Sequence, residues 1–382
     1  MKTLRLKAAR PARVLSGHPW AFAGEIDRRG QNLADGEGVE LCDARGRSLG
    51  SGLWSNVSKI SWRRYSREAQ PFDARFLHAA LARAVARRPQ GNFRRLVWSE
   101  ADHLPGLVVD QFDRVLVVQA LTAGVDQALP VIAAWLEKEL RPEEIILRND
   151  APSRQYDGLA LEVRTASGRE RKPDWVRIEG VEYFLDLTGG QKTGFYLDQR
   201  EQHLRVAELA KGRRVLDAFC NQGGFALQAA KAGAAAVLGI DASAECVAAA
   251  EKNAARNGLV AQFVQANMFD WFTENRTEKF DLIVLDPPPF ARSKDAMAGA
   301  MRGYKELNLR ALRLLNPGGV LATYSCSQRV APGDFLSMLT EAAADARREA
   351  RLLEQTGQPA DHPVLLSFPE SHYLKGALLQ VE

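Results

Sequence analysis

The sequence predicts an α/β protein in three parts: a small β barrel, a small α/β domain, and a C-terminal doubly wound sheet domain. Three observations carry this. The 382 residues exceed what one hydrophobic core usually organises. The first 70 residues read as short strands punctuated by turn residues. From Arg214 onward, strand and helix patterns alternate strictly, as in a mostly parallel sheet with helices on both faces. Hydrophobic residues make up 46% and charged residues 26%, a balance that excludes a disordered chain.

In residues 1–70, Gly17-His18-Pro19, Asp35-Gly36-Glu37-Gly38 and Asp43-Ala44-Arg45-Gly46 break apolar alternations into strands of a small barrel. Ser58 to Ser66 alternates Ile60, Trp62 and Arg64 with Lys59, Ser61, Arg63 and Tyr65, the pattern of a half-buried strand. The segment holds 13 Lys/Arg against 7 Asp/Glu, whereas the whole chain is at only +4. Basic charge concentrated in this way suits a phosphate-rich partner, and Lys59, Arg63 and Arg64 are the candidate RNA contacts. A solvated structural strand gives the same count.

Residues 71–170 form the second domain. Phe76, Leu77, Ala80, Leu81 and Val85 recur at helical spacing within Phe72 to Arg88, and Arg88-Pro89-Gln90-Gly91 stops the helix. Strands are expected at Arg95 to Trp98, Gly106 to Asp110 and Val115 to Gln119, then a helix at Val125 to Leu140 and a strand at Glu144 to Leu147. No catalytic constellation stands out there. The third domain spans residues 171–382. A hairpin about Glu179-Gly180 precedes strands at Arg214 to Ala218, Ala236 to Asp241, Ala261 to Gln265, Phe280 to Leu285 and Gly319 to Ser325. Helices are expected between them at Gly224 to Ala232, Ala244 to Asn257 and Gly303 to Leu315.

Several classes are disfavoured. No apolar run is long enough to span a bilayer, and the start lacks a secretory signal, so a cytoplasmic protein without a membrane partner is expected. Cys42, Cys220, Cys246 and Cys326 include no C-x-x-C pair, which argues against a disulfide framework and a metal site.

In a doubly wound sheet the ligand binds beyond the carboxyl ends of the strands. The first strand ends in VLDAFCNQGGF, with Asp217 at its tip and a loop through Phe219, Asn221, Gly223 and Gly224 leading into a helix. A dinucleotide site wants G-x-G-x-x-G for a pyrophosphate; an acid at this point suits an ammonium instead. The second strand ends in Asp241-Ala242, placed to accept from ribose hydroxyls, and the third is followed by Asn267-Met268, placed at an adenine edge. A cationic amino acid joined to an adenosine, S-adenosylmethionine, matches all three strand ends.

The fourth strand ends in Asp286-Pro287-Pro288-Pro289-Phe290, expected to form a rigid turn with an exposed carboxylate. A later strand runs into Cys326 within TYSCSQ, which brings a thiol near that loop if the topology holds. Carbon 5 of cytosine is a poor nucleophile, and a thiolate adding to carbon 6 activates it. Cys326 and Asp286 are therefore the catalytic candidates, with Asp286 also facing the cofactor pocket.

The succession of GGQKTGFYLDQR (Gly189 to Arg200), VLDAFCNQGGF, LDPPPFARSK (Leu285 to Lys294), YSCS and YLKG (Tyr373 to Gly376) resembles the bacterial large-subunit ribosomal RNA cytosine-5 methyltransferases of the RlmI type over essentially the whole chain. The resemblance implies an N-terminal PUA domain, a central EEHEE-type domain, a class I (Rossmann-like) methyltransferase domain, and 23S ribosomal RNA, naked or in a large-subunit assembly particle, as partner. Thr193 and Gln199 of the first motif are expected near the cofactor. Many RNA cytosine-5 methyltransferases carry a second Cys where Pro289 stands, so the base that removes the carbon 5 proton is unassigned. Asn267 stands where many methyltransferases have Asp. Two other readings stay open: a purine nitrogen methyltransferase acting through the Asp286-Pro287-Pro288 loop, and a non-catalytic RNA-binding assembly factor. The oligomeric state, a homodimer among the options, is also open.

Overall fold

The computed structural model describes residues 1–7, 13–28, 32–190, 193–290 and 297–382. Gln191 and Lys192 of the GGQKTGFYLDQR motif and Ala291 to Lys294 of LDPPPFARSK lie outside the described residues. The chain divides into two compact units. One comprises residues 1–173, 186–197 and 360–371, the other residues 174–185, 198–359 and 372–382.

In the first unit, two sheets form in succession. Six strands lie in the order Trp20–Ala21, Trp62–Ser66, Ser48–Trp54, Gly38–Cys42, Thr3–Leu6, Ile26–Asp27. Leu4, Val39, Leu41, Trp54 and Trp62 close their core. The second sheet has the order Glu162–Thr165, Glu144–Asn149, Val115–Ala120, Leu107–Phe112, Phe93–Trp98. Helices Ala74–Ala86 and Ala123–Leu140 supply apolar residues to its core. Asp73 starts the first of these by accepting from the Phe76 amide at 2.9 Å, a side-chain N-cap. Arg95 and Asp110 form a buried, two-point ion pair at 2.7 and 2.8 Å on this sheet. The sequence reading missed the edge strand Glu162–Thr165, whose Glu162, Val163 and Arg164 are exposed and carry no buried alternation.

The second unit is built on seven strands: β1 (Arg214–Asp217), β2 (Ala236–Asp241), β3 (Gln262–Gln265), β4 (Phe280–Leu285), β5 (Leu315–Ser325), β6 (Ala350–Gly357) and β7 (Lys375–Val381). Their order is β3-β2-β1-β4-β5-β7-β6. The first five run parallel; β7 inserts antiparallel between β5 and β6. The order reverses direction beside β1, so the switch point lies at the β1 and β4 carboxyl ends, where a ligand crevice forms. Among the described residues, six helices accompany the sheet: α1 (Arg200–Glu208), α2 (Gly224–Lys231), α3 (Ala244–Asn257), α4 (Met268–Glu274), α5 (Met297–Leu314) and α6 (Pro332–Ala346). The hairpin Asp174–Ile178 and Val181–Leu185 docks on α3, where Asn253 and Asn257 accept from the Phe184 and Glu182 amides at 2.9 and 2.8 Å. Strands β6 and β7 and helices α1, α4 and α6 were not anticipated. The exposed side chains of β6 show no alternation, and α4 is only 7 residues long.

Candidate active site

Strand ends build the site. Asp217 closes β1 with no exposure, and its Oδ2 accepts from the Ala226 amide in the first turn of α2 at 3.0 Å. When ionised, this carboxylate complements the helix N-terminus. Its other oxygen, Oδ1, has no hydrogen-bond partner among the described residues. Burial, reinforced by Asp286 and Asp241, pushes this carboxyl up to about 7.

The loop from β1 to α2 is held by β2. Asp241 Oδ2 accepts from the Asn221 amide at 2.9 Å and its Oδ1 from the Ser243 amide at 3.0 Å. Each carboxylate oxygen has further lone pairs, so the side chain retains capacity for ribose hydroxyls. Asn221 and Gly223 take left-handed backbone at φ 47° and 91°. Gly224 has a different reason to be glycine: a Cβ there would stand 2.6 Å from the His203 ring. Burial holds the His203 imidazole down to about 3, so it packs as a neutral ring, edge-on to Phe225 at 4.4 Å.

Gln199 gives a sharper signal. It is 2% exposed, and neither its Oε1 nor its Nε2 has a partner among the described residues. A buried primary amide with both ends unsatisfied is expensive to keep unless a ligand completes it. The orphaned Gln199 amide, the free Asp217 oxygen and the spare capacity of Asp241 fit a ligand carrying an ammonium and hydroxyls.

The other cofactor candidates sit differently. The Asn267 side chain caps α4, accepting from the Phe269 amide at 2.9 Å, and the Met268 side chain lies in the hydrophobic core. The Met268 side chain is therefore unavailable to an adenine, whereas the exposed Asn267 commits only its amide oxygen. Ala242 is exposed and its carbonyl accepts from Gln265, while Phe219 is half-buried against the core. Thr193 belongs to the first unit, where its hydroxyl donates to Asp110 at 2.7 Å. The anticipated basic contacts divide as well. Arg64 is buried and donates to the Gly17 carbonyl, and Arg63 pairs with Glu100 at 3.0 Å while covering the Trp20 ring, so only Lys59 is exposed. Side chains alternate across a strand, but here both faces of Trp62–Ser66 are covered, which sequence alternation does not reveal.

At the acceptor end, Leu285 of β4 lies opposite Thr323 of β5, so the loops after both strands emerge together. Cys326 Sγ lies 4.0 Å from the Pro287 carbonyl oxygen. The thiol and the Asp286 loop therefore share one site, on the topology the sequence reading required. Tyr304 of α5 bonds the Ser327 hydroxyl at 3.1 Å and packs on Phe290 at 4.7 Å, fixing both loops. The thiols of Cys42, Cys220 and Cys246 are pushed up by burial, which suits packing.

The comparisons agree with this geometry. Residues 119–369 match the family model for S-adenosylmethionine-dependent methyltransferases, and residues 4–67 that for PUA-like domains. Proteins named ribosomal RNA large subunit methyltransferase I are 39% identical in Tolumonas auensis, with 99% of each chain covered, and 39% in Photobacterium profundum, with 94% covered. The chain belongs to this methyltransferase family. A proposed SAM-dependent methyltransferase from Streptococcus mutans has the same fold, with TM-score 0.82 over 100% of both chains at 20% identity. A second structure with the same score is complexed with SAH. The enzyme is thus an S-adenosylmethionine-dependent methyltransferase with a PUA-like N-terminal domain. Among the described residues no helix is long and apolar enough to cross a membrane.

Lys375 and Tyr304 are the neighbours of the thiol that sequence reasoning did not assign. The only signal for Lys375 was its place in the closing YLKG motif.

Proposed function

We propose that this methyltransferase modifies carbon 5 of a cytosine in 23S ribosomal RNA, with Cys326 as nucleophile and Asp286 holding the base. The proximity of Cys326 Sγ to the Asp286-Pro287 turn carries the reading, because nitrogen methylation has no use for a thiol there. The name of the relatives, ribosomal RNA large subunit methyltransferase I, supports the RNA.

The chain's own groups divide the work. The loop from Asp217 to Gly224, together with Gln199 and Asp241, would hold S-adenosylmethionine. When bound, the cofactor supplies an electrophilic methyl group. Cys326 adds to carbon 6, which makes carbon 5 electron-rich, and Asp286 binds the ring nitrogen and exocyclic amine of the activated base. Release of the product needs the carbon 5 proton to pass to water and the carbon–sulfur pair to return to Cys326, with Pro289 standing where many RNA cytosine-5 methyltransferases carry a second thiol.

The RNA-contact surface follows the exposed charges of the first unit rather than Arg63 and Arg64. A cleft of about 680 Å³ is lined by Arg67, Arg75, Arg83 and His103, with Glu68 and Asp73 also on its wall. The three arginines have no carboxylate partner among the described residues. Burial and then Arg64, Arg87 and Arg67 hold the His103 pKa down, the sign of a positive field that favours phosphate.

The test is the product. Cys326→Ala is expected to bind S-adenosylmethionine, retain its fold and lose turnover, and the parent is expected to leave 5-methylcytosine in 23S RNA from cells supplied with it. Methylation of a purine nitrogen by the parent would replace this reading. Failure to bind the cofactor would replace it with a non-catalytic RNA-binding role.

A further inference from the structure

The register of β5 and β7 sets Lys375 opposite Ser325, one residue before the thiol. Lys375 is 3% exposed. Its Nζ donates to the carbonyl of Ser327, one residue after the thiol, and to that of Tyr373 at 2.8 Å. An ammonium has three N–H donors, and two carbonyls do not neutralise its charge. No carboxylate pairs with it among the described residues. A buried cation lacking an anion is unfavourable by several kcal/mol unless a negative group arrives beside it. The residue that β5 delivers to this place is Cys326.

We propose that Lys375 is a positioning residue that holds the Cys326 turn by its two carbonyl bonds and keeps the resting thiol as a thiolate. The Sγ–H bond breaks, its proton passes to solvent, and the remaining negative charge faces the ammonium. On addition, the sulfur electron pair forms the bond to carbon 6; on elimination the carbon 5 proton passes to water, its bonding pair restores the ring double bond, and the carbon–sulfur pair returns to sulfur, opposite the same cation. Burial pulls the Lys375 pKa down to about 8, with the Cys326 thiolate opposing that fall, as expected for a pair whose charges appear together. Tyr304 from α5 also faces the thiol, and His372 ahead of β7 faces the lysine. Among these groups Lys375 is the cation that offsets a thiolate.

The role rests on the nucleophile reading of Cys326, but its test does not need methyl transfer. In the full-length protein, the pH dependence of iodoacetamide alkylation at Cys326 would be followed by peptide mass spectrometry. The parent is expected to titrate below the ordinary thiol value of about 8.5. Lys375→Gln, which keeps donors for the carbonyls without the charge, and Lys375→Met are expected to raise that midpoint by about one unit or more, with roughly tenfold slower alkylation at pH 7. Lys375→Arg is expected to stay near the parent. A parent midpoint at or above about 8.5, or equal midpoints in the parent and folded Lys375→Gln, overturns the proposal. If neither neutral variant folds, the parent midpoint alone decides it. A dead Cys326→Ala with an unmoved midpoint rejects the lysine role and retains the nucleophile. An active Cys326→Ala rejects the nucleophile, and the lysine role with it, even if the midpoint moves.

Discussion

Gln199 and Asp217 each hold buried polar atoms without a hydrogen-bond partner among the described residues, as the proposed cofactor pocket requires. Replacing an unsatisfied buried amide by an apolar side chain of similar volume is near neutral or stabilising, whereas a ligand that used the amide loses its partner. Gln199→Leu is therefore expected to keep or raise the unfolding temperature of the cofactor-free enzyme. It should weaken S-adenosylmethionine by about 1–3 kcal/mol in calorimetry. Unchanged affinity would remove Gln199 from the pocket. Asp217 predicts a pH effect of definite sign. Its carboxyl titrates near 3.8 when unfolded and about 7 when folded, so between those values the folded state holds a proton that the unfolded state has lost. Stability contributed by this residue is present below the unfolded value and declines as pH rises toward the folded one. Asp217→Asn should flatten the decline in urea midpoint between about pH 4 and pH 7. An identical slope in the variant would contradict the buried, protonated carboxyl.

At the scale of elements, strand tips were legible because parallel strands announce themselves as apolar runs ending in acids. β2, α3 and β4 fall on the residues expected, and Asp217, Asp241 and Asp286 stand at the three tips. The exposed edges were not legible: Glu162–Thr165 and β6 lack alternation, and short α4 hides its Met268 in the core. The strand Trp62–Ser66 misled for a physical reason. Its arginines satisfy internal acceptors, Arg64 the Gly17 carbonyl and Arg63 Glu100, and nothing in an arginine's sequence position distinguishes that from an RNA contact. Helix Ala74–Ala86 carries the exposed charge instead, with Arg75 and Arg83 on the cleft wall beside Arg67. Replacing Arg67, Arg75 and Arg83 by Ala should weaken RNA binding and lower the slope of log K against log salt by up to about 2 to 3. Cofactor affinity should be unmoved. Arg64→Ala, by contrast, should lower the unfolding midpoint, since it strips a buried carbonyl of its donor. Equal salt slopes in the triple variant and the parent would return the cleft to solvated surface.

Across the whole molecule, the arginine-lined cleft lies in one compact unit, and the proposed cofactor loops and nucleophile lie in the other. The proposed catalysis turns on whether Cys326 bonds covalently to the base. RNA bearing 5-fluorocytosine at the target tests this most directly, because fluorine at carbon 5 blocks the final proton loss and leaves the adduct in place. With cofactor present, the parent is expected to form a protein–RNA species that survives denaturing electrophoresis, with the RNA mapped to Cys326 by mass spectrometry. Variants of Cys42, Cys220 and Cys246 should form it too, and Cys326→Ala should not. An active parent that leaves no trapped species, or a Cys326→Ala variant that methylates at close to the parent's rate, would contradict the thiol mechanism.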